Sequence, residues 1–191
     1  MSVLVEPQRR GGAEVGTDRR ALIFRSADGG DIPLLQQLAD ETWRASYSEM
    51  LSPEQINYML RWMYGADKIA AEFAEGVVWQ IAEIADEPVG YYSWRFEAES
   101  RRAKLNKLYV LPARQHQGCG RTMLEHAMGG AEERGAREMS LSVNKQNHRA
   151  QRLYQRAGFR IASEVVFDIG QGFVMDDFIM VRGLAEPGDT T

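Results

Sequence analysis

Between Arg102 and Val143 the chain spells a strand, a glycine-containing loop, a helix and a second strand, and that order leaves few ways to fold. Arg102–Val110 reads as a strand that Leu111-Pro112 ends. The loop 114–120 follows, and then a helix to about Arg134 whose apolar positions Met123, Leu124, Ala127, Met128 and Ala131 recur at helical spacing. In Glu138–Val143, Met139, Leu141 and Val143 alternate with Ser140 and Ser142, which makes a half-buried strand. A strand, a crossover helix and a strand in one sheet make a parallel pair, with the helix packed on one face. Part of the sheet is therefore expected to be parallel.

The remaining elements fill out that sheet. Strands are expected near Ala21–Ala27, Val77–Ile84 and Val89–Phe96, the last two joined by a turn at Asp86-Glu87-Pro88, and again near Phe159–Asp168 and Phe173–Val181. Helical periodicity covers Leu34–Tyr47, with Asp31 as the expected N-cap and Pro33 in the first turn. Ser52-Pro53 opens a second helix to about Met63, and a third covers about Asp67–Glu75. The expectation is a single-domain α/β fold over residues 21–183, with a mixed, partly parallel, twisted sheet of about six to seven strands and helices on both faces. Residues 1–20, with arginine pairs and no sustained apolar period, read as a flexible leader, and 184–191 as a frayed tail.

Composition narrows the function classes. A chain of 191 residues with 44% hydrophobic and 26% charged residues has the profile of a soluble globular protein with a sizeable core. No stretch approaches the roughly 20 apolar residues of a membrane span, and the N-terminus carries no secretory apolar run. The single cysteine, Cys119, allows no intrachain disulfide, and a reducing cytoplasm is expected. His116, His126 and His148 lack ligand spacing, so no metal is expected. A formal charge of −4 gives no global attraction to phosphate backbones, and neither nucleic acid nor membrane is an expected partner. A cationic small molecule suits that balance better.

Two segments carry chemistry. In Gln115-His116-Gln117-Gly118-Cys119-Gly120-Arg121-Thr122, two glycines spaced by one residue stand between a strand and a helix. Backbone N–H groups and the positive end of the helix dipole then converge on whatever sits above the turn, and an anion belongs there. A P-loop would need Gly-Lys-Ser/Thr where Gly120-Arg121-Thr122 stands, and a dinucleotide fingerprint would need a third glycine at Met123, so neither pattern is present. In the second segment Asn147 caps a helix that Gly158 stops, and its apolar face is Ala150, Leu153, Tyr154 and Ala157. Tyr154 thus faces the sheet, either packed in the core or placed at a cavity wall to donate a proton.

These two motifs, in this order, resemble those of the GNAT superfamily of acyl-CoA-dependent N-acyltransferases, over roughly residues 21–183. Gln115-x-x-Gly118-x-Gly120 after Leu108-Tyr109-Val110 looks like its CoA diphosphate loop, and Asn147–Phe159 like its signature helix. The resemblance implies acetyl-CoA between splayed strands, with backbone amides near Leu108, Tyr109 and Val110 on the pantetheine arm. It implies residues Gln115, His116, Gln117, Gly118, Cys119, Gly120, Arg121 and Thr122 at the diphosphate, and Asn147, Ala150 and Tyr154 along the cofactor. It further implies direct attack by a neutral amine, with Tyr154 protonating the departing thiolate. Many relatives place a glutamate on the strand before the loop as general base. Here that strand reads Lys104-Leu105-Asn106-Lys107, which leaves Glu41, Asp176 and Asp177 as candidates beside solvent. The stretch Phe167–Asp177 looks like that of bacterial polyamine acetyltransferases, so a small amine, a polyamine among the choices, is the expected substrate, and a homodimer is one of the assemblies open to the chain. The alternatives are an acyl-CoA-binding sensor without turnover, and an acetyltransferase acting on a protein or an aminoglycoside.

Overall fold

The computed structural model describes residues 21–185, so the leader 1–20 and all but the first two residues of the 184–191 tail lie outside the described residues. The elements in chain order are β1 (Ile23–Ser26), α1 (Ile32–Tyr47), α2 (Pro53–Tyr64), α3 (Ala66–Ala74), β2 (Val78–Ile84), β3 (Glu87–Glu97), β4 (Arg102–Val110), α4 (Cys119–Glu133), β5 (Glu138–Asn144), α5 (His148–Arg156), β6 (Arg160–Gly170) and β7 (Phe173–Gly183). They build one seven-stranded sheet in the order β1-β2-β3-β4-β5-β7-β6. Every neighbouring pair is antiparallel except β4 and β5, the pair that the strand–helix–strand segment foretold.

The sheet separates two cores. On one face α4 and α5 bring Met123, Leu124, Ala127 and Tyr154 onto Tyr92, Trp94, Leu105 and Met139. On the other, α1, α2 and α3 bring Leu35, Trp43, Met59 and Ile69 onto Trp79, Ile81 and Tyr91. Covered on both sides, β3 is buried without interruption from Val89 to Trp94, which is why its sequence lacks a polar–apolar alternation. Gly90 permits the closest approach, since a Cβ there would stand 2.5 Å from the Tyr109 carbonyl oxygen and 3.1 Å from the Met123 methyl. Trp62 alone of the four tryptophans stays half-exposed, on α2.

Local stop and start signals behave as expected at α2 and α5, where Ser52 accepts from Gln55 N–H at 3.1 Å and Asn147 from Ala150 N–H at 3.1 Å. Two expectations need correction. Asp31 takes the N-cap position of α1 but makes no capping hydrogen bond there, because its carboxylate is held bidentate by Arg25 at 2.8 Å, and a short 3₁₀ turn capped by Asp28 leads in. The β2–β3 hairpin turns on Ala85-Asp86, both at positive φ, one residue earlier than the proline suggested, and Pro88 lies at the register shift in β3. Leu184 and Ala185 are tied down as well, Leu184 N–H to the Arg137 carbonyl at 2.9 Å and Ala185 N–H to Glu132 at 3.1 Å.

Candidate active site

The parallel pair is short. Arg102–Leu105 pairs with Glu138–Leu141, and beyond those residues β4 and β5 have no register with each other. The separation begins at a β-bulge. Ser93 pairs with Lys107 and Trp94 with Leu105, so Asn106 is the extra residue. The bulge changes which face the strand presents. Ala103 and Leu105 belong to the α4 core and so do Leu108 and Val110 packed against it, whereas Tyr109 packs in the α1 core. The opened strands leave a cleft of about 1310 Å³, walled by β4, β5, the loop 115–121, α5 and the C-terminal end of α1.

At one end of the cleft lies the glycine loop. Among the described residues the amides of His116, Gln117, Gly118, Cys119 and Gly120 donate to no carbonyl; Arg121 and Thr122 are the first that do, to Gly118 at 3.0 and 3.1 Å. His116 and Gly118 both adopt positive φ, with 86° at Gly118, the residue that caps α4. This alternating backbone aims successive donors outward, an arrangement suited to an anion. A Cβ at Gly118 would meet no protein atom, so glycine is needed there for its φ. Gln115 fixes the loop by donating to the Val110 carbonyl at 3.0 Å while accepting from Arg149 of α5.

Of the residues singled out from the sequence, Leu108, Tyr109, Val110, Gln115, His116, Gly118, Gly120, Arg121, Asn147, Ala150 and Tyr154 all line this cleft. Gln117, Cys119 and Thr122 line a separate depression beside Leu22 and Ile84. Gln117 donates to the Ala113 carbonyl at 3.1 Å, and Cys119 is buried. Tyr154 is 8% exposed and packs on Phe159 with ring centroids 5.9 Å apart. Burial, and then the neighbouring Tyr47, push its phenol well above the ordinary tyrosine range, so the hydroxyl keeps its proton at neutral pH.

Sequence reasoning did not find Tyr47. The last residue of α1, it lines the cleft from the opposite face of the sheet, its hydroxyl 3.3 Å from that of Tyr109. Nothing local marks it, since it reads as one more apolar position on an amphipathic helix. Arg149, Arg152 and Arg156 of α5 and Arg182 of β7 also line the cleft. The spacing of the three on α5 was a readable signal for a basic helix face.

The candidate bases separate clearly. Glu41 is exposed on α1. Asp176 is exposed and paired with Lys145 at 2.6 Å. Asp177, opposite Asn144 in the β5–β7 register, is 6% exposed and its Oδ1 has no partner. Burial, followed by the charge of Asp176, raises its carboxyl to about 6, against a smaller opposing effect of Lys145. A further carboxylate appears on α3. Glu72 holds Lys107 of β4 at 3.0 Å, the lysine ammonium lying 4.6 Å from the Trp79 ring centroid. Lys107 lines the cleft on β4, the strand that carries no glutamate.

Comparisons with known proteins agree with this architecture. A 93-residue stretch, 49% of this chain, is 33% identical to N-acetyltransferases named as uncharacterized from Mycobacterium tuberculosis and Mycobacterium bovis, of which it covers 59%. The chain thus spans less than two thirds of the length of those curated relatives. A protein named spermidine N(1)-acetyltransferase from Thermoplasma acidophilum is 26% identical over 151 residues, 76% of this chain and 90% of that one. In fold, the chain is similar to an N-acetyltransferase of Thermoplasma acidophilum solved in complex with coenzyme A, with a TM-score of 0.73, 24% identity and coverage of 85% of this chain and 99% of that one. The acetyltransferase (GNAT) family model matches residues 33–159, a span that holds the splayed strands, the glycine loop and the tyrosine helix, and this chain belongs to that family.

Proposed function

We propose that this protein transfers an acetyl group from acetyl-CoA to a primary amine. The observation that carries the reading is the opened β4–β5 pair, with unclaimed loop amides at one end and Tyr154 in its wall. Acetyl-CoA fits this cleft chemically. The free edge of β4 at Leu108–Val110 would hold its arm, the amides of 116–120 its diphosphate, and the arginines of α5 its remaining phosphate. When bound it supplies the acetyl group as an activated thioester. The strand edge and loop hold that group in one orientation, which removes much of the entropic cost of bringing two reactants together. Tyr154, kept protonated by burial, donates to the departing sulfur.

A polyamine is the acceptor this reading favours. The net charge of −4, the Asp176-Asp177 pair and the similarity to the Thermoplasma spermidine enzyme support it. The test is release of free CoA thiol from acetyl-CoA against spermidine, spermine, putrescine, lysine peptides and aminoglycosides, with a blank lacking acceptor. Release driven by the polyamines alone is expected. Release with peptides or aminoglycosides only would move the acceptor class, and absence of acetyl-CoA binding by calorimetry would sink the reading.

A further inference from the structure

Resting on that reading of the cleft, we propose that Asp177 is the acceptor-side base: the amine enters as an ammonium ion against the Asp177 carboxylate, beside Tyr47, and gives its proton there. β4 and β5 part after Leu105 and Leu141, so the sheet is open and groups from its two faces reach one another. Tyr47 from the α1 face and Tyr154 from the α5 face interact electrostatically, and Asp177 acts on Tyr47. Asp177 pairs with Asn144, the last residue of β5, directly before the loop that leads to Asn147 and α5.

Among the described residues, the two carboxylates that line the cleft are Glu125 and Glu132, and Glu132 accepts from Ala185 N–H at 3.1 Å. Glu72 is taken up by Lys107 and Lys68, and Asp176 and Glu164 by Lys145. Glu125 is bound to Arg121. Among the carboxylates of the described residues, Asp177 is the one that combines burial with an unpaired oxygen, and an unpaired buried acceptor is costly unless a ligand satisfies it. The groups facing it are Asp176 on its own strand, Lys145 after β5 and Tyr47 from α1, with Val165 opposite on β6. The aromatic wall of Tyr47 and Tyr109 beside a carboxylate suits an alkylammonium ion.

The proton inventory closes. The ammonium loses one proton to Asp177; its nitrogen lone pair then forms the bond to the acetyl carbon as the carbon–sulfur bond breaks. Tyr154 gives its phenolic proton to sulfur, and the resulting phenolate takes the second proton from nitrogen. The products are the amide, the free thiol and protonated Asp177, which returns its proton to water.

The experiment compares the pH dependence of kcat/KM for spermidine in the unaltered protein and in Asp177→Asn, with acetyl-CoA affinity measured by calorimetry in both. In the unaltered protein kcat/KM is expected to rise through an acid limb near 6 and then level off. In Asp177→Asn it falls by about 100-fold at pH 7.5 and keeps rising toward the amine's own range of about 10, because only the free amine then reacts. Acetyl-CoA affinity stays within about twofold, and Asp177→Glu recovers part of the rate. A variant within threefold of the unaltered kcat/KM, with the acid limb in place, overturns the assignment while the acetyltransferase reading stands. Failure of the unaltered protein to bind acetyl-CoA removes both.

Discussion

Tyr154 and Asp177 are both shifted toward their protonated forms, and for the same reason. Burial disfavours the charged form, which keeps a phenol protonated and lifts a carboxylate toward neutrality. Replacing Tyr154 by Phe removes one hydroxyl from the cleft wall and leaves the ring packed on Phe159. Turnover at saturating acceptor should fall about 100-fold with acetyl-CoA affinity nearly unchanged; turnover equal to that of the unaltered protein would dismiss the tyrosine as the acid. Asp177 also leaves a mark on stability. Its folded carboxyl titrates at about 6 against an ordinary 3.8, so the fold binds this proton more tightly than the unfolded chain does. The associated stability is complete below 3.8 and lost as pH rises through about 6. Asp177→Asn should therefore be the more stable protein at pH 7.5, by roughly 3 kcal/mol, and the advantage should vanish near pH 4 in urea titrations. An equal difference at both pH values would contradict it.

At the scale of elements, β4 is held from both sides. Its bulge at Asn106 sends Leu108 and Val110 toward α4, and the Lys107–Glu72 pair ties it to α3 on the other face. Both charges are buried, at 3% exposure for Lys107 and 6% for Glu72, beneath Trp79 and Tyr64. Burial draws the lysine ammonium down while Glu72 opposes it. Removing Lys107 leaves the buried Glu72 with only the half-exposed Lys68 at 3.5 Å, and removing Glu72 leaves Lys107 buried without a counter-charge. Lys107→Met should cost about 3–5 kcal/mol, and adding Glu72→Leu should restore most of that loss. Equilibrium denaturation of the two single variants and the double decides this, and simple additivity would show that the pair is not coupled.

For the whole molecule, two separate cores meet only through one sheet, and the cleft lies where that sheet comes apart. A ligand spanning β4, the glycine loop and α5 stabilises the fold by mass action. Acetyl-CoA at about 100 times its Kd should add roughly 2.7 kcal/mol and raise Tm by roughly 5–10 °C. A melting temperature unmoved by acetyl-CoA, measured by scanning calorimetry, would count against the cleft as its site.

The sequence by itself determined what depends on a few neighbouring residues. It set the order and nature of the elements, the caps at Ser52 and Asn147, the left-handed Gly118 and the inward face of α5 with Tyr154, because periodicity and allowed φ act over one or two turns of chain. It also marked the parallel pair, since a crossover helix imposes it. Only the tertiary structure decided how far that pair extends, that Asn106 bulges, and that β7 inserts between β5 and β6. Tyr47, Asp177 and Tyr154 lie far apart in the chain, and no local pattern distinguishes a buried tyrosine from one at a cavity wall or a paired aspartate from an unpaired one. Strand partners and ion pairs are settled by which distant side chains compete for the same space, and that competition left Lys145 beside Asp176 and the oxygen of Asp177 unclaimed.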